Sequence, residues 1–139
     1  MSKRILITGV TGFVGRQVLK YLEKKDFSLT VIVRDGKQAI FKDHPAIDTV
    51  ITTSDLFAET KEWWINALEE VDTLIHVAWY TEAGQYLQSS KNLDCLQGTI
   101  NMAKGASEAG IRRFVGVGTC AEYDLSYGTL SIETPLKPL

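Results

Sequence analysis

Apolar and polar positions in the first 34 residues follow a strand–helix–strand pattern. Ile5, Leu6 and Ile7 form a short apolar run typical of a buried strand, and residues 29–33 form a second one. The segment between them has helical spacing, and the face of this helix that we expect to be buried carries Val14, Val18, Tyr21 and Leu22. The pattern predicts a βαβ unit, in which a helix connects two parallel strands.

The rest of the chain repeats the alternation of strands and helices. Apolar or β-branched runs predict further strands at residues 47–52, 71–79 and 113–117, and helical spacing predicts helices at 54–68 and 90–109. Strands that alternate with helices indicate an α/β fold with a parallel sheet. We therefore expect a doubly wound parallel sheet of the Rossmann type, truncated after the fifth strand, with the strand order 3-2-1-4-5.

The two later helices carry their own signals. Ser54 is the expected N-cap of the helix at 54–68, and Trp63 and Trp64 are expected to pack on its apolar side. The helix at 90–109 is followed by Gly110, where a C-terminal glycine belongs. The apolar positions that define this second helix are Leu93, Leu96, Ile100, Ala103 and Ala106.

Three glycines lie between the first strand and the first helix. Gly9, Gly12 and Gly15 have the spacing G-x-x-G-x-x-G, rather than the commoner G-x-G-x-x-G. In a dinucleotide-binding turn the first glycine permits the tight bend, the second lets a pyrophosphate approach the backbone, and the third lets helix and strand pack closely. Free N–H groups at the start of the helix then face the phosphates. The turn and its position predict a dinucleotide-binding site.

The end of the second strand carries residues that select between NAD and NADP. An acidic residue here binds the ribose hydroxyls of NAD, whereas an arginine pairs with the extra phosphate of NADP. Arg34 follows the strand directly and Asp35 comes next, so we expect NADP through Arg34, with NAD through Asp35 as the alternative. Arg16, after the last glycine, favours NADP in the same way, although a solvated residue in the first helical turn explains it nearly as well.

Two further segments follow predicted strands at their carboxyl ends, which is where ligands bind in open α/β sheets. Residues 80–90 are expected to form a loop, either a plain surface loop or one that touches substrate. Thr119 follows the fifth strand and is placed beside the cofactor cleft. His76, inside the fourth strand, is expected to be a structural residue with a satisfied hydrogen bond. With His44 as the only other histidine, we expect no metal site.

Composition narrows the class of protein. The 139 residues suffice for one domain, and 45% hydrophobic and 23% charged residues are typical of a soluble globular protein. A net charge of −2 gives no basic surface for nucleic acid or an anionic membrane, and no apolar run reaches the length of a membrane span. Cys95 and Cys120 are too few for a disulfide framework, so we expect reduced thiols in a cytoplasmic protein.

Six stretches of the chain match motifs of one enzyme family. They are TGVTGFVG at 8–15, DL at 55–56, HVAW at 76–79, N-x(5)-G-T-x-N from Asn92, T-x-x-x-Y at 119–123 and ETPLKP at 133–138. Together these motifs, which span essentially the whole chain, resemble the N-terminal part of the extended short-chain dehydrogenase/reductase family. More narrowly, they resemble the NAD(P)-dependent epimerases and dehydratases of nucleotide sugars. Trp79 departs from that family, which usually has alanine at this position.

The resemblance implies roles for individual residues. Asp55 and Leu56 would contact the adenine, and the Thr119 hydroxyl would assist catalysis. The full set of implied cofactor-binding residues, with Arg34 and Asp35 included, is Gly9, Thr11, Gly12, Phe13, Val14, Gly15, Arg34, Asp35, Asp55, Leu56, Val77, Ala78, Trp79 and Asn92. Residues 1–118 would form the dinucleotide-binding domain, and 119–139 a loop that leads to the catalytic helix.

The family's catalytic Tyr-x-x-x-Lys dyad, in which the tyrosine acts as general acid/base, is expected on a helix beyond residue 139. Tyr21 and Lys25 have the right spacing, but periodicity indicates that Tyr21 packs in the core. The resemblance therefore implies the NAD(P)-binding portion of a nucleotide-sugar epimerase, dehydratase or 4-ketoreductase. Such a portion would serve hydride transfer in the whole enzyme and would be inactive alone.

Two alternatives stay open, and with them whether this chain is part of an enzyme. One is a non-catalytic dinucleotide-binding module that works as a redox sensor or partner-binding domain. The other is an isomerase or reductase of a related atypical group with a non-sugar substrate. A nucleotide sugar is the expected partner of a full-length enzyme. The apolar edge at 113–117 is expected to favour association of the isolated chain, such as homodimer formation.

Overall fold

The computed structural model of the protein describes residues 2–138; Met1 and Leu139, which begin and end the two expected regions, lie outside them. The strands and helices are β1 (Lys3–Thr8), α1 (Phe13–Leu22), β2 (Phe27–Arg34), β3 (Ile47–Thr53), α2 (Lys61–Ala67), β4 (Thr73–His76), α3 (Lys91–Glu108) and β5 (Arg113–Gly116). Short 3₁₀ turns occupy Gln38–Ile40, Leu56–Ala58, Tyr86–Gln88, Cys120–Glu122 and Leu125–Tyr127.

All five strands lie in one parallel sheet with the order β3-β2-β1-β4-β5, which confirms the predicted α/β fold and strand order. In the central strand β1, successive side chains point to opposite faces. Ile5 and Ile7 pack with Leu19 of α1, whereas Leu6 packs with Trp64 of α2 on the other face. The sheet is therefore covered by helices on both faces, as in a doubly wound fold.

The buried face of α1 differs from the predicted one. Gly15, Leu19 and Leu22 are its buried residues, whereas Val14 is 47% exposed and Tyr21 is 64% exposed. The prediction that Tyr21 packs in the core is wrong. Close packing of Gly15 on the glycine turn sets the rotation of the helix, so the buried positions recur from residue 15 rather than from residue 14.

Helix α3 turns its small residues inward and its larger apolar residues outward. Its buried positions are Cys95, Gly98, Met102, Gly105 and Ala106, while Leu93, Leu96 and Ile100 are exposed. The glycines explain the arrangement, because a β-carbon on Gly98 would lie 2.5 Å from Phe57 Cα, and one on Gly105 would lie 2.5 Å from Trp64 Cβ. Among residues 2–138, neither α3 nor any other helix is long and apolar enough to cross a membrane.

The start of α2 also differs from the prediction. Thr60, not Ser54, is the N-cap, and its hydroxyl oxygen accepts the N–H of Trp63 at 3.1 Å. The Asp55 carboxylate caps the preceding 3₁₀ turn instead, by accepting the N–H of Phe57 at 3.0 Å. This separate turn delays the helix to residue 61. The predicted packing of Trp64 is confirmed, since the side chain is fully buried.

Strand β4 is shorter than the predicted 71–79 because the backbone leaves the sheet after His76. The N–H groups of Val77 and Ala78 donate to the side-chain oxygen of Thr8, at 3.2 and 3.3 Å, instead of to a neighbouring strand. Beyond β5, the expected loop carries two 3₁₀ turns and an antiparallel bridge between Tyr123 and Leu136. Because β1, β4 and β5 are parallel neighbours, their carboxyl ends lie together at one edge of the sheet.

Candidate functional site

The turn after β1 leaves backbone N–H groups open at the start of α1. Gly9 has a φ of +76°, and its carbonyl oxygen accepts the N–H of Gly12 at 3.0 Å, which closes the bend. The first turn of the ten-residue helix then begins at Phe13, and its first N–H groups have no partner within the helix. Phe13 and Val14 are exposed, so solvent and ligands reach this helix end.

The three glycines of the turn have different surroundings. A β-carbon on Gly9 would lie 2.6 Å from the nitrogen of Ala78, and one on Gly15 would lie 2.6 Å from the carbonyl carbon of Gly9. A β-carbon on Gly12 would lie 3.4 Å from the carbonyl oxygen of Gly9, with no other described atom as near. Internal packing therefore excludes side chains at Gly9 and Gly15. At Gly12 the missing side chain leaves open space in front of the helix end.

Arg34 and Asp35 lie at the end of β2 on the same edge of the sheet. Both side chains are exposed, and neither forms an ion pair within residues 2–138. The backbone is fixed by hydrogen bonds from the Asp35 N–H to Thr53, at 3.0 Å, and from the Lys37 N–H to Arg34, at 2.9 Å. Both side chains are thus free to reach a ligand at this edge.

The residues after β3 are held by local hydrogen bonds. The Asp55 N–H donates to the Thr53 hydroxyl oxygen at 3.2 Å, and one Asp55 carboxylate oxygen accepts from Phe57. Thr53 in turn donates to the Glu59 carboxylate. Leu56 is half-buried and packs against the cluster on the α2 and α3 side. The second carboxylate oxygen of Asp55 remains available, so its contact with an adenine stays a prediction.

Trp79 and Asn92 contact each other, which sequence reasoning did not anticipate. The indole Nε1–H of Trp79 donates to Asn92 Oδ1 at 2.8 Å, and Asn92 Nδ2 donates to the carbonyl oxygen of Tyr86. The ring of Trp79 meets the Phe57 ring edge-on, with the centroids 6.2 Å apart. Both ends of the Asn92 amide therefore hold the loop after β4, and its contact with a cofactor stays a prediction.

His76 is buried, with 5% of its surface exposed, and makes two side-chain hydrogen bonds, as expected of a structural residue. Its Nδ1 lies 2.8 Å from Thr8 Oγ1 and its Nε2 lies 3.2 Å from Thr99 Oγ1. Burial lowers the pKa of His76 to about 4, so the imidazole is neutral at neutral pH. Sequence reasoning missed Thr8 and Thr99, although a threonine that ends a buried strand beside a glycine turn is a usable signal.

Thr119 follows β5 at the same edge of the sheet. Its side-chain oxygen accepts the N–H of Ala121 at 3.2 Å and its surface is exposed. The backbone just before it is tied to β4, because the Val117 N–H donates to the His76 carbonyl oxygen at 3.0 Å. A hydroxyl that accepts one bond still has its own hydrogen to donate. Thr119 can therefore donate a hydrogen bond to a ligand at this edge.

Burial raises the pKa of the Cys95 thiol, which keeps this buried side chain protonated at neutral pH. Within residues 2–138, no three His, Cys, Asp or Glu side chains are grouped so as to hold a metal ion. Tyr21 and Lys25 lie near the far end of α1, away from the glycine turn, with the Lys25 ammonium 4.9 Å from the Tyr21 ring centre.

Comparisons with known proteins find relatives of this chain in sequence and in fold. The chain is 27% identical over 135 residues to the dTDP-6-deoxy-L-talose 4-dehydrogenase (NAD(+)) of Aggregatibacter actinomycetemcomitans, a match that covers 96% of this chain and 48% of that protein. The UDP-Glc/GlcNAc 4-epimerase of Campylobacter jejuni is 21% identical, with a TM-score of 0.80 over 99% of this chain and 44% of that one. The Bordetella bronchiseptica enzyme WbmG, in complex with NAD and UDP, is 24% identical, with a TM-score of 0.71 over 100% of this chain and 45% of that one.

The two structural matches are under 25% identical and show the shared fold. The chain spans about half the length of the relatives named above. The model of the family described as "NAD dependent epimerase/dehydratase family" matches residues 5–138, which is nearly the whole chain. The chain belongs to the NAD-dependent epimerase/dehydratase family.

Proposed function

We propose that this chain binds a nicotinamide dinucleotide at the carboxyl edge of its sheet and is the cofactor-binding portion of a nucleotide-sugar epimerase, dehydratase or 4-ketoreductase. The observation that carries the proposal is the open space at Gly12 beside the free N–H groups of α1. A pyrophosphate needs both features, because it approaches the backbone closely and accepts hydrogen bonds from a helix N-terminus. The names of two relatives specify nucleotide sugars, which supports this class of substrate.

The remaining contacts follow from the positions of the strand ends. The N–H groups from Phe13 to Gly15 would hold the pyrophosphate, while Arg34 and Asp35 at the end of β2 would reach the adenosine ribose. Asp55 and Leu56 after β3 would contact the adenine. Thr11 would lie in the turn itself, and Val77, Ala78, Trp79 and Asn92 would line the cleft on the β4 side.

For the ribose, we propose that Arg34 favours NADP by pairing with its extra phosphate. The description of the family as NAD dependent and the NAD(+) in one relative's name favour NAD, which Asp35 would bind. Isothermal titration with each dinucleotide tests the choice. Arg34→Ala is expected to weaken NADP binding about tenfold and to leave NAD binding nearly unchanged. Asp35→Ala is the matched variant, with the opposite selectivity. No heat with either dinucleotide would refute the site.

The chain's own contribution to chemistry lies in Thr119. The bound nicotinamide would supply the group that accepts or donates a hydride. The Thr119 side-chain oxygen accepts the N–H of Ala121, and its hydroxyl would donate a hydrogen bond to the substrate oxygen that loses or gains a proton. Tyr21 and Lys25 are the one Tyr-x-x-x-Lys pair in the sequence and lie away from this edge. We therefore propose that the isolated chain binds the cofactor without turnover, and that 119–139 lead from the domain formed by 1–118 towards a catalytic helix.

A non-catalytic dinucleotide-binding module is the second candidate. It would use the same open helix end beside Gly12. The coding sequence beyond codon 139 discriminates the two functions. A downstream Tyr-x-x-x-Lys would support the enzyme, whereas a natural stop codon with a folded, dinucleotide-binding product would support the sensor or partner-binding module.

We also propose that the isolated chain associates through the β5 edge, as a homodimer or larger species. β5 ends the sheet, and its residues Phe114 and Val115 are partly exposed. Light scattering over a wide concentration range tests the proposal. A monomer at every concentration would refute it.

The free thiols of Cys95 and Cys120 support a reducing, cytoplasmic location, which a fluorescent fusion would test.

A further inference from the structure

A chain of hydrogen bonds connects the sheet to helix α3 directly behind the glycine turn. It begins at Thr8, the last residue of β1, whose side-chain oxygen lies 2.8 Å from His76 Nδ1. His76 is the last residue of β4, and its Nε2 lies 3.2 Å from Thr99 Oγ1. The Thr99 hydroxyl donates to the carbonyl oxygen of Cys95, one turn earlier in α3, at 2.7 Å.

Counting hydrogens and lone pairs gives each bond a direction. Thr8 Oγ1 has one hydrogen and two lone pairs, and both lone pairs accept backbone N–H groups, from Val77 at 3.2 Å and Ala78 at 3.3 Å. Its hydrogen must therefore go to His76 Nδ1. A neutral imidazole that accepts at Nδ1 carries its hydrogen on Nε2, and this hydrogen is donated to Thr99. The opposite tautomer, with its hydrogen on Nδ1, would require Thr8 Oγ1 to accept a third hydrogen bond.

The same bonds fix the backbone that packs on the glycine turn. The nitrogen of Ala78 lies 2.6 Å from where a β-carbon on Gly9 would be, so the loop after β4 and the turn after β1 are in direct contact. The N–H groups of Val77 and Ala78 are held in that place by one oxygen, that of Thr8. The Thr8 oxygen therefore holds the loop where it packs against the glycine turn.

We propose that Thr8 and His76, held in the Nε2–H tautomer, are positioning residues that set the loop of Val77 and Ala78 against the glycine turn and so shape the dinucleotide cleft. Only the last step, in which the loop shapes the dinucleotide cleft, rests on the proposed function. The tautomer and the loop position do not depend on cofactor binding, and they can be measured without it.

The tautomer is measured by long-range ¹H–¹⁵N correlation on histidine-labelled protein, with His44→Gln to assign the two rings. The expected spectrum of the unaltered protein shows His76 with a protonated Nε2 and a bare Nδ1. A protonated Nδ1 would overturn the proposal, whatever any variant does. This measurement needs no substitution at the network, so it stands even where a variant fails to fold.

The positioning is measured with a matched pair of variants. Thr8→Val keeps the shape of the side chain and removes the hydroxyl, whereas Thr8→Ser keeps the hydroxyl. Thr8→Val is expected to speed amide exchange at Val77 and Ala78 and to weaken dinucleotide binding about tenfold, and Thr8→Ser to restore both. Folded Thr8→Val with unchanged exchange at these two amides would overturn the proposal.

Thr99→Val separates positioning from stability. It removes the bond to α3 and leaves Thr8 with its three partners, so it is expected to lower stability while dinucleotide affinity changes less than about threefold. An equal loss of affinity in Thr99→Val and Thr8→Val would overturn the positioning role. If the unaltered protein shows the expected tautomer and exchange but binds neither NAD nor NADP, the proposed function fails, and so does the role of the network in the cleft.

Discussion

Acidification is expected to destabilise the fold through His76, which must stay neutral where it is buried. The pKa of this residue is lowered by burial to about 4 in the folded protein, whereas the unfolded chain has the ordinary value of about 6.5. Between these two values the unfolded state binds a proton that the folded state does not. Stability is therefore constant above about pH 6.5 with respect to this group, and is lost as the pH falls from about 6.5 towards about 4.

The size of the effect follows from the two pKa values. A difference of about 2.5 pH units corresponds to about 3 kcal/mol at full extent, and about 2 kcal/mol of this is lost at pH 5. Domains of this size are stable by about 5–15 kcal/mol in total, so the loss is easily measured. The ring centroids of Phe57 and Phe114 lie 6.0 and 6.3 Å from that of the His76 imidazole. These rings form part of the apolar surroundings that lower the pKa of His76.

Urea unfolding, followed by tryptophan fluorescence at several pH values, measures this loss. The matched variant is His76→Gln, which is less stable at neutral pH but has no imidazole to titrate. Carboxylates contribute equally to both proteins, so the difference between the two pH profiles isolates His76. The unaltered protein is expected to lose about 2 kcal/mol more than the variant between pH 7.5 and pH 5. Parallel profiles would refute the reasoning.

Three further predictions concern backbone contacts and a helix cap. Gly15→Ala is expected to destabilise the protein by about 1–3 kcal/mol, because its β-carbon would collide with the backbone of Gly9. Gly12→Ala is expected to fold normally and to lose dinucleotide affinity. Chemical denaturation and titration calorimetry check this pair of variants, and equal stability of the two would contradict the prediction. Gly98→Ala is expected to cost a similar amount, since its β-carbon would meet a backbone atom of the turn after β3, and an unchanged unfolding midpoint would contradict this. Thr60→Ala is expected to cost about 1 kcal/mol in urea unfolding and Ser54→Ala almost nothing, and the reverse order would restore the N-cap predicted from the sequence.

The strand order and the glycine turn could be predicted because they depend on signals that are local in sequence. An apolar run, a glycine triplet and an amphipathic segment within 34 residues are sufficient to indicate the βαβ unit. The continuous apolar run around His76 likewise marks a buried central strand. The topology then follows from the regular alternation of such units and from the handedness of their connections.

The rotation of the helices could not be predicted, because hydrophobic periodicity ignores how closely two backbones approach. In α1 and α3 the closest contacts are made by Gly15, Gly98 and Gly105, and periodicity analysis counts glycine as neutral. The larger residues Tyr21 and Leu93 then lie at the surface. A glycine repeated on one face of a helix is thus a better guide to close packing than the largest apolar side chains.

The contacts at the site were predictable as positions along strands but not as partners. Trp79 and Asn92 were each assigned to the cofactor cleft from motifs, and their mutual hydrogen bond depends on the angle at which the loop leaves β4. That angle is fixed by Thr8, 70 residues from Ala78 along the chain. No local pattern in the sequence reports such a pairing.

The central place of β1 also has a consequence for the order of folding. One edge of β1 pairs with β2, just beyond a single helix, whereas its other edge pairs with β4, where Thr8 meets a residue 68 positions away. Closing the longer loop costs more chain entropy, and contacts between distant residues form slowly. We therefore expect the segment from β1 to β2 to pair before β4 joins the sheet. Until β4 joined, the glycine turn would lack the loop that packs against Gly9.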